Sequence, residues 1–392
     1  MPHPPSLIAN EADDLAEAER LKQQVEQLYH QGQYSEAIPL AERMLTLYQN
    51  LYGEEHPDIA DSLTYLGILY RSQGRYTEAE PLFRQVLVII KRLYGEEHPD
   101  IATSLNNLAL LYQNQGRYSE AEPLFRQALE MKKRLLGEDH PWVATSLNNL
   151  ALLYQNQGRY SEAEPLFRQA LAMRKRLLGQ NHPDVATSLN NLAALYRNQG
   201  RYSEAEPLYR QALEMRKRLL GQEHPDVAQS LHNLAVLYDT QGRYSEAEPL
   251  YRQALEMTKR LLGQEHPDVA TSLASLAALY RNQGRYSEAE SLYRQALEMF
   301  KRLLGEDHPD VATSLNNLAL LYRNQGRYTE AEPLFRQSLE IIKRLMGEDH
   351  PRVSMSLYNL AVLYSQLGDI DNTLTVLQEG LNIEEYNLTA NL

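Results

Sequence analysis

Apolar residues recur along this chain at the spacing of amphipathic helices, in two kinds of run that alternate. Segment 99–140 contains one run of each kind. The first places Leu105, Leu108 and Tyr112 on one helical face. The second, residues 121–136, keeps the same helical spacing over a longer stretch. Because no alternating β-branched run occurs, the pattern predicts a pair of helices and no strand.

Residues that favour helix ends mark where each run begins and stops. Pro99 suits a first helical turn, where its missing N–H costs nothing. Gly116 and Gly137 follow the two runs and can adopt the left-handed conformation that ends a helix. Ser119 and Glu122 have the spacing of a capping box, which predicts the start of the second helix. The unit is therefore a helix, a short turn, a longer helix and a second short turn.

The same unit returns every 42 residues without a slip. A fixed period of this size indicates a repeat array, in which each copy buries its apolar face against its neighbours. We expect a disordered tail over residues 1–10, an array of about nine helix pairs over residues 11–385, and a C-terminal tail over residues 386–392. A His-Pro pair closes each copy, with its histidine at His56, His98, His140, His182, His224, His266, His308 and His350.

The residues of the unit also carry a family resemblance. The 42-residue copies, with the segments LNNLALLY, GRYSEAEPL and LLGEDHPDVA, are similar to the repeats of kinesin light chains and their bacterial relatives. This resemblance covers about residues 15–385 and implies an all-α, right-handed superhelical solenoid. The pattern that resembles the tetratricopeptide repeat consists of Leu105, Leu108, Ala109, Tyr112, Gly116, Tyr118, Ala121, Phe125 and Ala128.

Composition and charge narrow the classes of partner. The chain has 52 acidic and 39 basic residues and a formal charge of −13, which argues against nucleic-acid binding. No stretch approaches the ~18 consecutive apolar residues of a membrane-spanning helix, so no membrane partner is expected. Cysteine is absent, which fits a reducing compartment, and we expect a cytoplasmic location.

The sequence contains no arrangement of residues that is typical of catalysis. No glycine-rich phosphate loop, HExxH pair or nucleophile elbow occurs. An active site needs different groups that converge, whereas a repeat array places copies of one group in a row. Two helix widths of ~10–12 Å each separate histidines of adjacent copies, so they lie too far apart to share a zinc ion. We therefore predict no enzymatic activity, no metal site and no cofactor.

Paired asparagines on the first helices are the main candidate for peptide binding. The family resemblance implies that first helices line a concave groove. An asparagine offers one carbonyl acceptor and two N–H donors, which match the groups of a peptide backbone. The alternative is that the second asparagine of each pair only braces neighbouring helices. Ala274-Ser275 interrupts the series, whose members are Asn106-Asn107, Asn148-Asn149, Asn190-Asn191, His232-Asn233 and Asn316-Asn317.

Arginines form a second candidate row, near the ends of the same helices. An arginine can pair with a carboxylate through two hydrogen bonds, so this row favours an acidic peptide. The resemblance to kinesin light chains implies acidic cargo peptides as well. The alternative is that these arginines are solvated charges at helix ends. Glutamine occupies the position at Gln113 and Gln155, and arginine occupies it at Arg71, Arg197, Arg281 and Arg323.

The sequence thus predicts a protein-interaction scaffold or adaptor that holds a peptide segment of a protein partner in the groove. The alternative function is the light-chain subunit of a kinesin-type motor, which links cargo to the heavy chain. The resemblance implies a long heptad coiled coil for that role. Here only about 20 residues before the repeats are available for one, so a kinesin heavy chain is a partner under this alternative alone.

Overall fold

The chain is all-helical, as its hydrophobic pattern predicts. The computed structural model describes residues 5–390, with side chains for residues 11–387. In that part of the chain there are eighteen helices in nine pairs and no strand. The helices are α1 Pro5–His30, α2 Tyr34–Tyr52, α3 Pro57–Ser72, α4 Tyr76–Tyr94, α5 Pro99–Asn114, α6 Tyr118–Leu136, α7 Pro141–Asn156, α8 Tyr160–Leu178, α9 Pro183–Asn198, α10 Tyr202–Leu220, α11 Pro225–Thr240, α12 Tyr244–Leu262, α13 Pro267–Asn282, α14 Tyr286–Leu304, α15 Pro309–Asn324, α16 Tyr328–Met346, α17 Pro351–Leu367 and α18 Ile370–Ala390.

The predicted tails overlap the outermost helices. Helix α1 is described from Pro5 and α18 to Ala390, beyond the expected limits of the array at residues 11 and 385. The remaining parts of the two tails, residues 1–4 and 391–392, lie outside the described residues. The limits of the array therefore stay a prediction.

The recurring histidine is a helix cap. In α5 the Nδ1 atom of His98 accepts a hydrogen bond of 3.3 Å from the backbone N–H of Asp100, and Pro99 occupies the first helical position. The cap satisfies one of the backbone donors that the start of a helix leaves without an intrahelical partner. The corresponding bond measures 3.0–3.3 Å in the other copies from His56 to His350.

The second helices begin two residues earlier than a capping box requires. The N-cap of α6 is Arg117, which makes no capping bond with its side chain, and Ser119 lies inside the helix. The capping-box prediction is wrong because Gly116, with a φ of 70°, reverses the chain before Ser119 is reached. Arg117 instead donates to the carboxylate of Glu120 at 2.6 Å, from Nε and from Nη2.

The helices fall into two compact units, residues 1–146 and residues 147–392. The core of the first unit includes Met44, Leu63 and Ile90, which are at most 6 % exposed. In the second unit, Leu189 of α9 packs in one cluster with Ala212 of α10. Small residues keep the same place buried on the second helices, namely Ala128, Ala170, Ala212, Ala254, Ala296 and Ser338.

Candidate functional site

Asparagines of successive first helices in residues 147–392 hydrogen-bond to one another. The Nδ2 atom of Asn191 donates to Oδ1 of Asn148 at 2.8 Å, and Asn233 donates to Asn190 at the same distance. The pairing always joins the second asparagine of one copy to the first asparagine of the preceding copy. We call Asn148, Asn190 and Asn316 the first asparagine row, and Asn191, Asn233 and Asn359 the second asparagine row.

The pairing fixes which way each amide of the first asparagine row is turned. Asn316 follows the same rule, since its Oδ1 accepts from Asn359 at 3.0 Å. With Oδ1 engaged, the Nδ2 groups of this row donate to no group in the described part of the chain. Asn190 and Asn316 are half-buried, and Asn148 is 7 % exposed. The second row therefore braces the helices, and the Nδ2 groups of the first row are not used in this brace.

The interrupted copy treats the same positions differently. Asn106 and Asn107 are half-buried on α5, as is Asn149 on α7. Asn317 makes no side-chain hydrogen bond to a described residue, because Ala274 stands at the first-row position of the preceding copy and offers no acceptor. The brace is thus lost where the asparagine series is interrupted.

His232 takes the place of an asparagine in the first row. Burial, together with the positive charge of Arg197, lowers the pKa of His232 to about 4. The imidazole is therefore neutral at pH 7. Its ring lies edge-on to Tyr251, with 5.4 Å between the ring centroids. At this copy the row presents a flat, uncharged ring instead of an amide.

The predicted arginines of the second unit form no ion pair with a described carboxylate. Arg197 donates to its neighbour Asn198 at 3.1 Å, and Arg281 donates to Asn282 at 3.5 Å. Burial and the positive charge of Arg281 lower the pKa of Arg323. The described partners of Arg197 and Arg281 are therefore side-chain amides and not carboxylates.

Asp239 stands at the arginine position of the copy between Arg197 and Arg281. Burial raises the pKa of Asp239, against a bond of 3.2 Å from Asn282 Nδ2 and the charge of Arg281, which lower it. The row in the second unit thus combines arginines with one aspartate. Sequence reasoning did not include this aspartate among the candidate residues, although its position in the 42-residue period marks it.

Two buried tyrosine hydroxyls near this row also escaped the sequence prediction. Tyr209 and Tyr293 are at most 1 % exposed, and no hydrogen-bond partner reaches either hydroxyl. The sequence does show this change, because other copies have phenylalanine at the same position, as at Phe125 and Phe167. Tyrosine replaces it only in the three copies that carry Arg197, Asp239 and Arg281. The copy with Arg323 keeps phenylalanine at this position, as Phe335, so the two changes do not always occur together.

Arg71 belongs to the first unit and is placed differently from the other predicted arginines. It borders a cavity of about 300 Å³ whose walls include Val25, Tyr29 and Leu69. Its Nη1 atom is buried and has no hydrogen-bond partner, and burial lowers its pKa. The structure therefore does not add Arg71 to the row formed by Arg197, Arg281 and Arg323.

These features define an all-helical repeat protein whose first helices present rows of polar side chains. In the described residues, no group of three or more potential ligands is arranged to hold a metal ion. The chain belongs to the tetratricopeptide repeat family. The family description matches residues 14–87, 58–134, 100–176, 184–260, 246–302, 268–341 and 310–385, and a second description of the same name matches residues 148–219.

Solved structures to which this chain is similar include proteins of the light-chain type. BtubC (BKLC) from P. vanneervenii is 27 % identical, covers 62 % of this chain and 92 % of its own, and has a TM-score of 0.46. A Podosopora anserina structure of nearly identical TPR-like repeats, ascribed to a kinesin light chain, is 32 % identical, with coverages of 53 % and 97 % and a TM-score of 0.44. The tetratricopeptide repeat resemblance stated from the sequence is confirmed by the family match.

A more extended likeness, at low sequence identity, shows the fold alone. The Rap protein complexed with Competence and Sporulation Factor is 15 % identical, covers 96 % of this chain and 98 % of its own, and has a TM-score of 0.60. No curated protein matches the chain. None of the described helices combines the length and the apolar character that a membrane span requires.

Proposed function

We propose that this chain is a non-catalytic interaction scaffold that holds a peptide segment of a protein partner against the first helices of residues 147–392. Membership of the tetratricopeptide repeat family supports an interaction role. The Rap protein of similar fold was solved as a complex with Competence and Sporulation Factor, which supports a role in holding a bound partner. A cytoplasmic location and the light-chain alternative stay predictions, and the geometry described above favours neither.

The orientation of the first asparagine row is the observation that carries this proposal. Each amide has its oxygen held by the next copy, as Asn148 and Asn190 show, and keeps its Nδ2 donors. A row of N–H donors suits the backbone carbonyls of an extended peptide. The sequence suggested that both amide groups would serve the ligand, but the acceptor is already engaged by the brace.

The arginine row suggests the character of the peptide. Arg197, Arg281 and Arg323 lack carboxylate partners in the described residues and lie on the same helices as the asparagines or on the next ones. An acidic side chain of the ligand would give such a guanidinium a charge-assisted hydrogen bond. We therefore propose a partner segment that contains acidic residues.

The test uses two double variants that break the same two asparagine bonds. Asn148→Ala with Asn190→Ala removes both acceptors and both sets of Nδ2 donors. Asn191→Ala with Asn233→Ala removes the bracing donors and leaves the first row in place. Peptides are first selected on the wild-type protein from a displayed library of random sequences, and their affinities are then measured by fluorescence anisotropy.

We expect the two double variants to lose similar thermal stability, because each lost bond contributes ~0.5–1.5 kcal/mol. The first variant should also bind selected peptides roughly tenfold more weakly, since ~1.4 kcal/mol corresponds to one decade. The second should retain most of its affinity. Equal affinities for both variants would refute the role of the first asparagine row, and a library that yields no specific binder would refute the peptide function.

A further inference from the structure

One position on the second helices changes its chemistry along the second unit. Its residue points toward the next first helix and is at most 7 % exposed in every copy of that unit before α18. A basic side chain occupies this position in α8 and α10, a small polar one in α12, and large apolar ones in α14 and α16. The successive residues are Arg174, Arg216, Thr258, Phe300 and Ile342.

Arg216 shows what this position holds when it is basic. Its Nη1 atom donates to the backbone oxygen of Asp226 at 3.0 Å and to Oγ of Ser230 at 2.9 Å. Its Nη2 atom donates to Oγ1 of Thr187 on the preceding first helix at 3.3 Å. In the preceding copy, the Nη1 atom of Arg174 donates in the same way to the backbone oxygen of Asp184 at 3.3 Å and to Oγ of Ser188 at 2.8 Å. The space between helices is therefore lined with acceptors that suit a guanidinium.

Thr258 leaves the corresponding space unfilled. A cavity of about 90 Å³ lies there, far larger than the ~10–15 Å³ that one water molecule needs. Its walls include Asp268, Ser272 and Gln229, which stand 42 residues after the three partners of Arg216. Thr258 does not offer its hydroxyl to the cavity, because Oγ1 donates to the backbone oxygen of Ala254 at 2.9 Å.

We propose that this cavity accepts the guanidinium of an arginine side chain from the bound partner segment. The proposal rests on the proposed function and makes it more specific. His232 of the first-row position forms part of the cavity wall, so a peptide that lies along the first asparagine row passes its mouth. The Ser272 hydroxyl already donates to the backbone oxygen of Asp268 at 2.9 Å, so toward the cavity it offers lone pairs, which suit a guanidinium better than a carboxylate.

Two substitutions test the proposal, one by filling the cavity beside Thr258 and one by emptying the corresponding space that Arg216 fills. Thr258→Arg should fill the cavity from within, as Arg216 does in the copy before. Arg216→Thr should open a second cavity of the same kind. If the Arg216→Thr protein does not give a helical circular-dichroism spectrum, Arg174→Thr is used in its place. The probe is ethylguanidinium, which represents the end of an arginine side chain, added to the full chain and followed by isothermal titration calorimetry and NMR shift perturbation.

We expect about one binding equivalent for the wild type, none for Thr258→Arg, and about two for Arg216→Thr. Ethylammonium should bind roughly tenfold more weakly, because it lacks the planar fork of donors. Thr258→Val keeps the cavity and should bind ethylguanidinium as the wild type does. Unchanged ethylguanidinium binding by Thr258→Arg would overturn the proposal, and so would equal binding of the two cations.

The library peptides separate this proposal from the peptide function itself. Peptides selected on the wild type should be enriched in arginine at one position, and those selected on Thr258→Arg should lose that enrichment while still binding. If peptides bind and no arginine preference exists, the cavity assignment is wrong and the scaffold function stands. If ethylguanidinium occupies the cavity but no peptide binds, the proposed peptide function is wrong. The cavity proposal is then wrong as well, because it requires a bound partner segment that supplies the arginine.

Discussion

Two regions of residues 147–392 contrast in how much they change from copy to copy. Where a second helix meets the next first helix, one cluster recurs with little change. Glu164 of α8 accepts hydrogen bonds from the Tyr196 hydroxyl at 3.1 Å and from Arg201 Nη1 at 2.7 Å. The Arg201 guanidinium also lies over the Tyr196 ring, 4.0 Å from its centroid. We call this recurring cluster the glutamate seam.

The glutamate seam returns with almost the same distances in later copies. Glu206 accepts from the Tyr238 hydroxyl at 2.9 Å and from Arg243 at 2.8 Å. Glu290 does the same with Arg327 at 2.7 Å, and that hydrogen bond lowers the pKa of Glu290 in opposition to burial, which raises it. The face of the first helices has no such constancy. There the same positions hold asparagine, histidine, alanine or tyrosine in one row and glutamine, arginine, aspartate or serine in the other.

The difference teaches where stability and selectivity reside in this array. Stacked copies share one packing problem, so the residues that solve it recur in each copy. Residues that contact a ligand have no reason to recur, because an extended peptide presents a different side chain to each copy. The seam should therefore control unfolding, and the variable face should control which ligand binds.

The largest expected effect comes from removing a seam glutamate. Glu206→Ala deprives Tyr238, Arg243 and Arg210 of a shared acceptor, and we expect a loss of roughly 2–3 kcal/mol in the free energy of unfolding. Peptide affinity should stay within about twofold of the wild type. Chemical denaturation and fluorescence anisotropy measure the two quantities.

The matched control for this change is Glu246→Ala. Glu246 is an exposed residue that pairs with Arg243 within one helical turn, at 2.7 Å. Solvent screens such a surface pair, which therefore contributes little, so the control should unfold almost as the wild type does. If both variants were destabilised equally, the seam would have no special role and the contrast between the two regions would be lost.

A second effect depends on pH and involves His232. The folded-state pKa of about 4 lies below the ordinary value of 6.5, so the unfolded chain binds the proton first. Above pH 6.5 the contribution of His232 to the free energy of unfolding is fully present. It is lost as the pH falls from 6.5 toward 4. His232→Asn restores the asparagine of the row and removes this loss. We compare the free energies of unfolding of the variant and the wild type at each pH. The difference in favour of the variant should be larger at about pH 5 than at about pH 8 by on the order of 2 kcal/mol.

The measurement is urea denaturation of both proteins at the two pH values. The wild type should show the steeper fall in stability on acidification. An identical fall in both proteins would show that His232 is not held in a neutral state by its surroundings. It would also show that His232 contributes nothing to the pH dependence of stability.

The smallest expected effect concerns the charges of the arginine row. Arg197→Ala together with Arg281→Ala should weaken acidic library peptides by roughly three- to tenfold and leave neutral peptides almost unchanged. Added salt should reduce this difference, because it screens exposed charges. Arg218→Ala is the control, since Arg218 is exposed and bonds to Asn181 in a turn outside the row. An equal loss for acidic and neutral peptides would remove the basis for an acidic partner.

The sequence alone was sufficient for the local structure of this protein. The 42-residue period located α2 at Tyr34–Tyr52 and the starts of all later first helices, because each apolar run is long and strongly periodic. It also marked Asn190, Asn191 and Arg197 as candidates, because they stand on the polar part of a first helix. The capping box failed because two patterns competed for one turn, and the backbone geometry of Gly116 decided between them.

Only the tertiary structure decided which side-chain groups are engaged and which are left for a ligand. Asn148 and Asn191 are 43 residues apart, and nothing in the period tells which amide donates to the other. The cavity beside Thr258 could not be obtained from the sequence either, because its size depends on the space that three helices leave empty once they have packed. A sequence pattern specifies which face of each helix is apolar, whereas donors, acceptors and voids between helices are settled only when the copies stack.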